Sequence, residues 1–173
     1  SKETLKNVDL LALPGVGSFP RGMSQLKEHN ILDFLKERVN KGHPLIGICL
    51  GMQLLCHDSE EGTRKGLGIF DANVIKLNKK FTEKLLIPHM GWNYVHSEKD
   101  KYLLNGIKNP NKFYFVHSYY VDCKNKEDIL FTTEYGLKFP SAIKKDNVIG
   151  FQFHPEKSHK YGMRLFKNLL QSL

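Results

Sequence analysis

With 173 residues, 40% of them apolar and 25% charged, the chain is long enough for one folded domain with a real core, and it carries no repeat, low-complexity tract or long linker. No apolar stretch reaches bilayer-spanning length, and the opening SKETLKNVDLLALPG lacks a secretory charged region and cleavage site, so a cytoplasmic protein that neither crosses nor binds a membrane is expected. The formal charge of +8 comes from scattered lysines such as Lys79, Lys80, Lys84, Lys99 and Lys101 with no nucleic-acid motif among them, which argues against a nucleic-acid partner.

Along the chain, VDLLALPG (8–15) reads as a buried strand closed by Pro14-Gly15. Met23, Leu26, Ile31, Leu35 and Val39 fall near helical spacing, Asn40 to His43 break the pattern, and PLIGI starts a second strand. A short helix carrying Leu50, Leu54 and Leu55 follows Cys49. From Leu67 the texture changes to short β-rich runs: GIFDANVIKL, KLLIPHMGWNYV, KFYFVHSYYV, DILFTTEYG and SAIKKDNVIGFQF. A last helix holds Met163, Phe166, Leu169 and Leu170. This order predicts an α/β fold, a mostly parallel sheet flanked by helices with an appended antiparallel portion, in a single domain spanning 1–173.

The three cysteines, Cys49, Cys56 and Cys123, form neither an even disulfide framework nor paired CxxC knuckles, so reduced thiols are expected. Cys49 stands apart because GICLG (47–51) places it between two glycines, after a strand and before a helix. That is the thiol version of the nucleophile elbow, in which a tight turn lifts the nucleophile out of the sheet and the flanking glycines leave room for the bend. The helix start favours thiolate and offers backbone N–H groups to an oxyanion, with Leu50 a candidate donor. Taken alone, the pentapeptide fits a small buried thiol equally well.

A thiol nucleophile needs a base, and the base needs an orienting group. GFQFHPEKS (150–158) supplies both in His154 and Glu156, two apart on one side of an extended segment with Pro155 between them. His29, His43, His57, His96 and His159 read as ordinary exposed or satisfied histidines. LPGVGSFPRGM (13–23) ends a strand in a loop whose amides can point into a site as further oxyanion donors; by itself it is also a plain turn.

Cys49 in G-x-C-x-G, His-Pro-Glu about a hundred residues later and the PGVG loop together resemble the class I (triad) glutamine amidotransferases. Within that class, LPGVGSFPRGM, GICLGMQLL, EEGTRKGLGIF, IPHMGWN, YFVHSYYV and FQFHPEKS are similar to the glutaminase subunits of imidazole glycerol phosphate synthase, in the same order from residue 13 to 158. The resemblance implies that Cys49 attacks the side-chain amide of L-glutamine to give a thioester and ammonia, with His154 as acid and base and Glu156 orienting it. It places the oxyanion hole at the N–H of Leu50 and near the Gly15, Val16 and Gly17 peptides. It places the substrate's amino-acid end near Gly17, Gln53, Glu61, Ser118 and Tyr119, where Glu61 can pair with the ammonium. It sets Trp92, Asn93, Tyr114, His117 and Lys157 facing a (β/α)₈-barrel cyclase in a heterodimer, while core packing is an equally open reading for Trp92 and Tyr114. No metal or organic cofactor is implied.

The family normally opens with a strand bearing an IDYGxGN-like segment and then a helix, about 35 residues that would precede Ser1. With that strand and helix missing, an unpaired sheet edge and uncovered apolar surface are expected. Two rival functions share these motifs: a paralogous glutaminase supplying ammonia for sugar amination in surface polysaccharide synthesis, and an inactive barrel-binding subunit. The intact Cys49, His154 and Glu156 argue against the second.

Overall fold

The computed structural model describes residues 5–78, 86–99, 101–107 and 110–172. Within the predicted run 8–15, strand β1 covers Leu11–Gly15 and pairs in parallel with β2, Leu45–Cys49, from Leu11 opposite Leu45 to Gly15 opposite Cys49. On the other side of β2 runs β11, Val148–Phe151, again parallel, with Phe151 opposite Ile48. All five residues of β2 are buried, as a strand between two parallel partners with both faces covered must be.

The sheet continues antiparallel through β10 (Lys138–Lys145), β9 (Ile129–Glu134) and the short β6 (His96–Ser97), giving the order β1-β2-β11-β10-β9-β6. The parallel texture and part of the antiparallel texture of the sequence therefore meet in one mixed sheet, and the fold is α/β. At the β1 end of this order, Ala12 and Pro14 are exposed.

Two smaller sheets complete the strands. One holds β3 (Asp58–Ser59), β4 (Ala72–Lys76) and β8 (Tyr119–Cys123); the other pairs β5 (His89–Tyr94) with β7 (Lys112–His117). KFYFVHSYYV, which reads as one run, breaks at Ser118 into β7 and β8 and feeds two different sheets.

Helical spacing from Met23 to Val39 corresponds to two helices, α1 (Phe19–Glu28) and α2 (Leu32–Asn40). Asn30 separates them at φ 54°, a left-handed conformation that asparagine tolerates better than most residues. Leu26 and Ile31 lie five apart, one step too long for a continuous helical face. Helix α3, Leu50–Leu54, is wholly buried. In α4, His159–Leu170, the inward residues are Gly162, Leu165, Asn168 and Leu169, whereas Met163 and Leu170 from the predicted apolar set are exposed.

The main sheet separates two apolar clusters. Leu45 packs on one side with Phe19, Met23, Leu35, Leu54 and Phe70, while Ile46 and Ile48 pack on the other with Phe113, Phe115, Phe153, Leu165 and Leu169. Because β1, β2 and β11 are parallel, their carboxyl ends share one edge, where α/β sheets place their sites.

Candidate active site

Cys49 ends β2 and caps α3 with φ 55° and ψ −109°. A non-glycine residue held in that region stores of order 1–3 kcal/mol, which the surrounding packing must impose. The bracketing glycines leave space, as the sequence suggested. A Cβ on Gly51 would lie 1.7 Å from the Leu13 carbonyl oxygen, and one on Gly47 would lie 2.7 Å from the Met52 nitrogen. The strain of the elbow thus falls on the cysteine, and the glycines let neighbouring backbone close around it.

The thiol is 7% exposed. It donates to the Val116 carbonyl at 3.7 Å and receives the Gln152 amide Nε2 at 3.8 Å. Burial pushes it up to about 11, against the pull of the Leu50 N–H, Lys157 and Gln152, with Glu156 raising it further. Desolvation outweighs the donors, and Cys49 rests as a thiol at neutral pH.

His154 lies three residues beyond Phe151, the last residue of β11 and the partner of Ile48. Cys49 and the His-Pro-Glu segment therefore leave the sheet at the same edge from adjacent strands. The His154 ring is buried, with Nδ1 2.6 Å from a Glu156 carboxylate oxygen. An acceptor-only carboxylate there keeps the proton on Nδ1 and leaves Nε2 with a lone pair. That Nε2 is buried, and among the described residues it has no hydrogen-bond partner, Cys49 included.

The extended segment expected around His154 and Glu156 is corrected in one respect: Pro155–Lys157 form a 3₁₀ turn. The Ser158 hydroxyl donates to the His154 carbonyl at 2.6 Å and accepts the Tyr114 N–H at 3.0 Å, tying the turn to β7.

Beside the elbow lies a cavity of about 320 Å³. It brings together Cys49, the predicted oxyanion residues Val16, Gly17 and Leu50, and the predicted ligand residues Gln53, Glu61, Ser118 and Tyr119. Gly15 does not line it, since that glycine is the last residue of β1. Glu61 has a second task, because its Oε2 accepts the Phe19 N–H at 2.7 Å. Ser18 makes no side-chain cap and the first turn of α1 has no acid, so this distant carboxylate satisfies the helix start.

Two of the residues expected to face a partner are committed inward. His117 is 5% exposed and lines the cavity; its Nδ1 lies 2.8 Å from the Tyr119 carbonyl and its Nε2 2.9 Å from His89 Nδ1. The Asn93 amide meets His89 Nε2 at 3.1 Å and the Glu134 carbonyl at 2.9 Å. The cause is strand register, which sets His89 opposite His117 and Asn93 opposite Phe113. The sequence reading did not single out His89 or Gln152; alternation from Asn93 along PHMGWN points to His89.

Trp92 is 43% exposed, which rules out the core-aromatic reading for it. It stacks on His159 at 5.8 Å and meets Tyr114, half-buried, edge-on at 6.3 Å. Met90, Trp92 and Tyr94 alternate outward along β5, and Lys157 is exposed. Among the described residues no group of three or more His, Cys, Asp or Glu side chains is placed to hold a metal ion. None of the described helices is long and apolar enough to cross a membrane.

A family model described as "Glutamine amidotransferase class-I" matches residues 1–172. The chain is 53% identical over 171 residues to "Imidazole glycerol phosphate synthase subunit HisH 2" of Methanococcus maripaludis, covering 98% of this chain and 83% of that protein. It is 46% identical to the subunit of the same name from Pseudomonas aeruginosa, covering 99% and 84%. Among solved structures, one described as "Crystal structure of glutamine amidotransferase" superposes with a TM-score of 0.74 at 19% identity, covering 100% of this chain and 84% of that one, a likeness of fold. The chain belongs to the class I glutamine amidotransferases and, within them, to the group of imidazole glycerol phosphate synthase HisH subunits.

Proposed function

We propose that residues 1–173 act as one glutamine amidotransferase domain that hydrolyses L-glutamine to glutamate and ammonia and passes the ammonia to a (β/α)₈-barrel cyclase for imidazole glycerol phosphate formation. The observation that carries this reading is Cys49, held at φ 55° on the edge of a cavity, with the His154–Glu156 pair leaving the adjacent strand at the same edge.

The chemistry follows from these groups. Sγ attacks the side-chain carbonyl carbon of glutamine as its proton passes to His154 Nε2, the lone pair that the Glu156 contact leaves free. The tetrahedral oxyanion takes the Leu50 N–H with the Val16–Gly17 segment as the second side of the hole. Nε2 returns the proton to the departing nitrogen, which leaves as ammonia. Water then gives a proton to Nε2, attacks the thioester carbon, and the proton returns to sulfur as glutamate is released. Glu61 and Gln53 receive the ammonium of the substrate, and the Ser118–Tyr119 segment its carboxylate. The exposed Met90, Trp92 and Tyr94 row, with Tyr114 and Lys157, supports a docking face for the barrel in a cytoplasmic heterodimer.

The test is glutamate release by the purified chain with and without the cyclase and its nucleotide ligand. Stimulation by the pair, lost in Cys49→Ala, is the expected result; unchanged release in that variant overturns the mechanism. Two relatives carry the numeral 2 in their names, and the same geometry serves a paralogue feeding a sugar-aminating partner. Release stimulated by that partner and not by the cyclase selects the second reading.

A further inference from the structure

Gln152 is fully buried one residue beyond β11, and its backbone N–H is spent on the Ser141 carbonyl at 3.0 Å. Its side chain joins two groups of the site. Oε1 accepts from Gln53 Nε2 at 3.1 Å, and Nε2 faces Cys49 Sγ at 3.8 Å.

The direction of this chain is chemically forced. Gln53 Nε2 also lies 3.1 Å from the Tyr119 carbonyl, which can only accept. The amino group of Gln53 must therefore face Tyr119, and its second hydrogen must find an oxygen on Gln152. The amino group of Gln152 is then left toward sulfur, and a flipped amide would set two N–H groups against each other. A backbone carbonyl thus dictates, through two amides, which end of Gln152 the thiol meets.

Around the sulfur the balance of donors and acceptors matters. The Val116 carbonyl suits S–H and opposes S⁻. Charge that develops on this buried sulfur needs donors, and the Leu50 N–H is the one the elbow provides by itself.

We propose that Gln152 is a further catalytic residue, whose amide N–H stabilises the Cys49 thiolate as it forms, and that Gln53 is the positioning residue that holds that amide in the donating orientation. The proposal rests on Cys49 being the nucleophile. It also assigns Gln53 a task apart from substrate contact: both hydrogens of its amino group are committed, so only its oxygen is left for a ligand.

The test is the pH profile of Cys49 alkylation by iodoacetamide in the full chain without glutamine, read by peptide mass spectrometry. Cys56 and Cys123, both buried, serve as internal reporters that the fold is intact. Gln152→Met removes the donor, and its midpoint is expected to rise by about one pH unit, with kcat for glutamine about tenfold lower and KM unchanged. Gln152→Glu keeps the shape and the bond from Gln53 but turns an oxygen toward sulfur, and its midpoint rises further. Either variant with Cys56 and Cys123 still protected is sufficient, and a midpoint equal to that of the parent overturns the proposal. Failure of the underlying reading looks different: Cys49→Ala then retains glutaminase activity whatever the alkylation profile.

Discussion

His89 Nδ1 and His117 Nε2 meet at 2.9 Å inside the protein, and the groups on either side leave neither ring room for a second proton. The Tyr119 carbonyl requires the hydrogen of His117 on Nδ1, so Nε2 accepts from His89; His89 Nε2 then accepts from Asn93. Burial lowers His89 to about 4, and burial together with His89 lowers His117 to about 3, against the ordinary value of 6.5.

The sign of the pH dependence follows. Below about pH 6.5 the unfolded chain binds protons at these rings that the folded chain refuses, so stability falls as the solution is acidified. The contribution is complete above 6.5 and drains away through about 4 and 3. Urea midpoints between pH 7 and pH 4 measure it, and His89→Gln, which removes one titrating ring, gives a shallower decline.

Gly51→Ala tests the elbow. Its Cβ meets a backbone oxygen at 1.7 Å, which no side-chain adjustment relieves. The variant is expected to lose about 3 kcal/mol or more of stability, or to displace Cys49 and lose glutaminase activity. Gly17→Ala is the contrast: that site has open space but a φ of 104°, so the cost of about 1 kcal/mol comes from the backbone alone. Thermal melting of the two variants ranks them.

Glu156→Gln keeps an oxygen for His154 Nδ1 and removes the charge. Because the carboxylate side chain is 45% exposed, water screens it, and kcat for glutamine is expected to fall about tenfold, less than for a buried orienting acid. Steady-state kinetics with KM held apart from kcat show whether the loss lies in chemistry.

Arg38 is a buried cation, and among the described residues no carboxylate pairs with it. Its guanidinium donates to the carbonyls of Leu5, Lys6 and Val8 and lies 5.9 Å from the Phe34 ring. Arg38→Met leaves those carbonyls without their donor and is expected to cost about 2 kcal/mol. Trypsin cleavage after Lys6 should accelerate, because the first described segment is tied to α2 through this side chain.

What could be read beforehand was local. Two glycines around a cysteine and a proline between a histidine and a glutamate are spacings within a few residues, and the structure sets these pieces at one sheet edge. What escaped depended on pairing across the chain. Gln152 looks like any polar residue alternating in GFQF until β11 is aligned with β2. His117 and Asn93, set toward a partner by the resemblance alone, show their inward bonds only when the β5–β7 register brings His89 between them. KFYFVHSYYV carries no glycine or proline to announce that its two halves belong to different sheets. The break between α1 and α2 is local too, marked by the five-residue step from Leu26 to Ile31.

Glu61 enters the cavity with one oxygen already given to the Phe19 N–H. A cation arriving there finds one oxygen wholly free and the other already sharing its electrons with a backbone N–H. A guanidinium, whose advantage over an ammonium lies in bonding both oxygens of a carboxylate in parallel, loses part of that advantage at this position. The helix that borrows the acid thereby narrows the choice of cations in favour of a compact amino group.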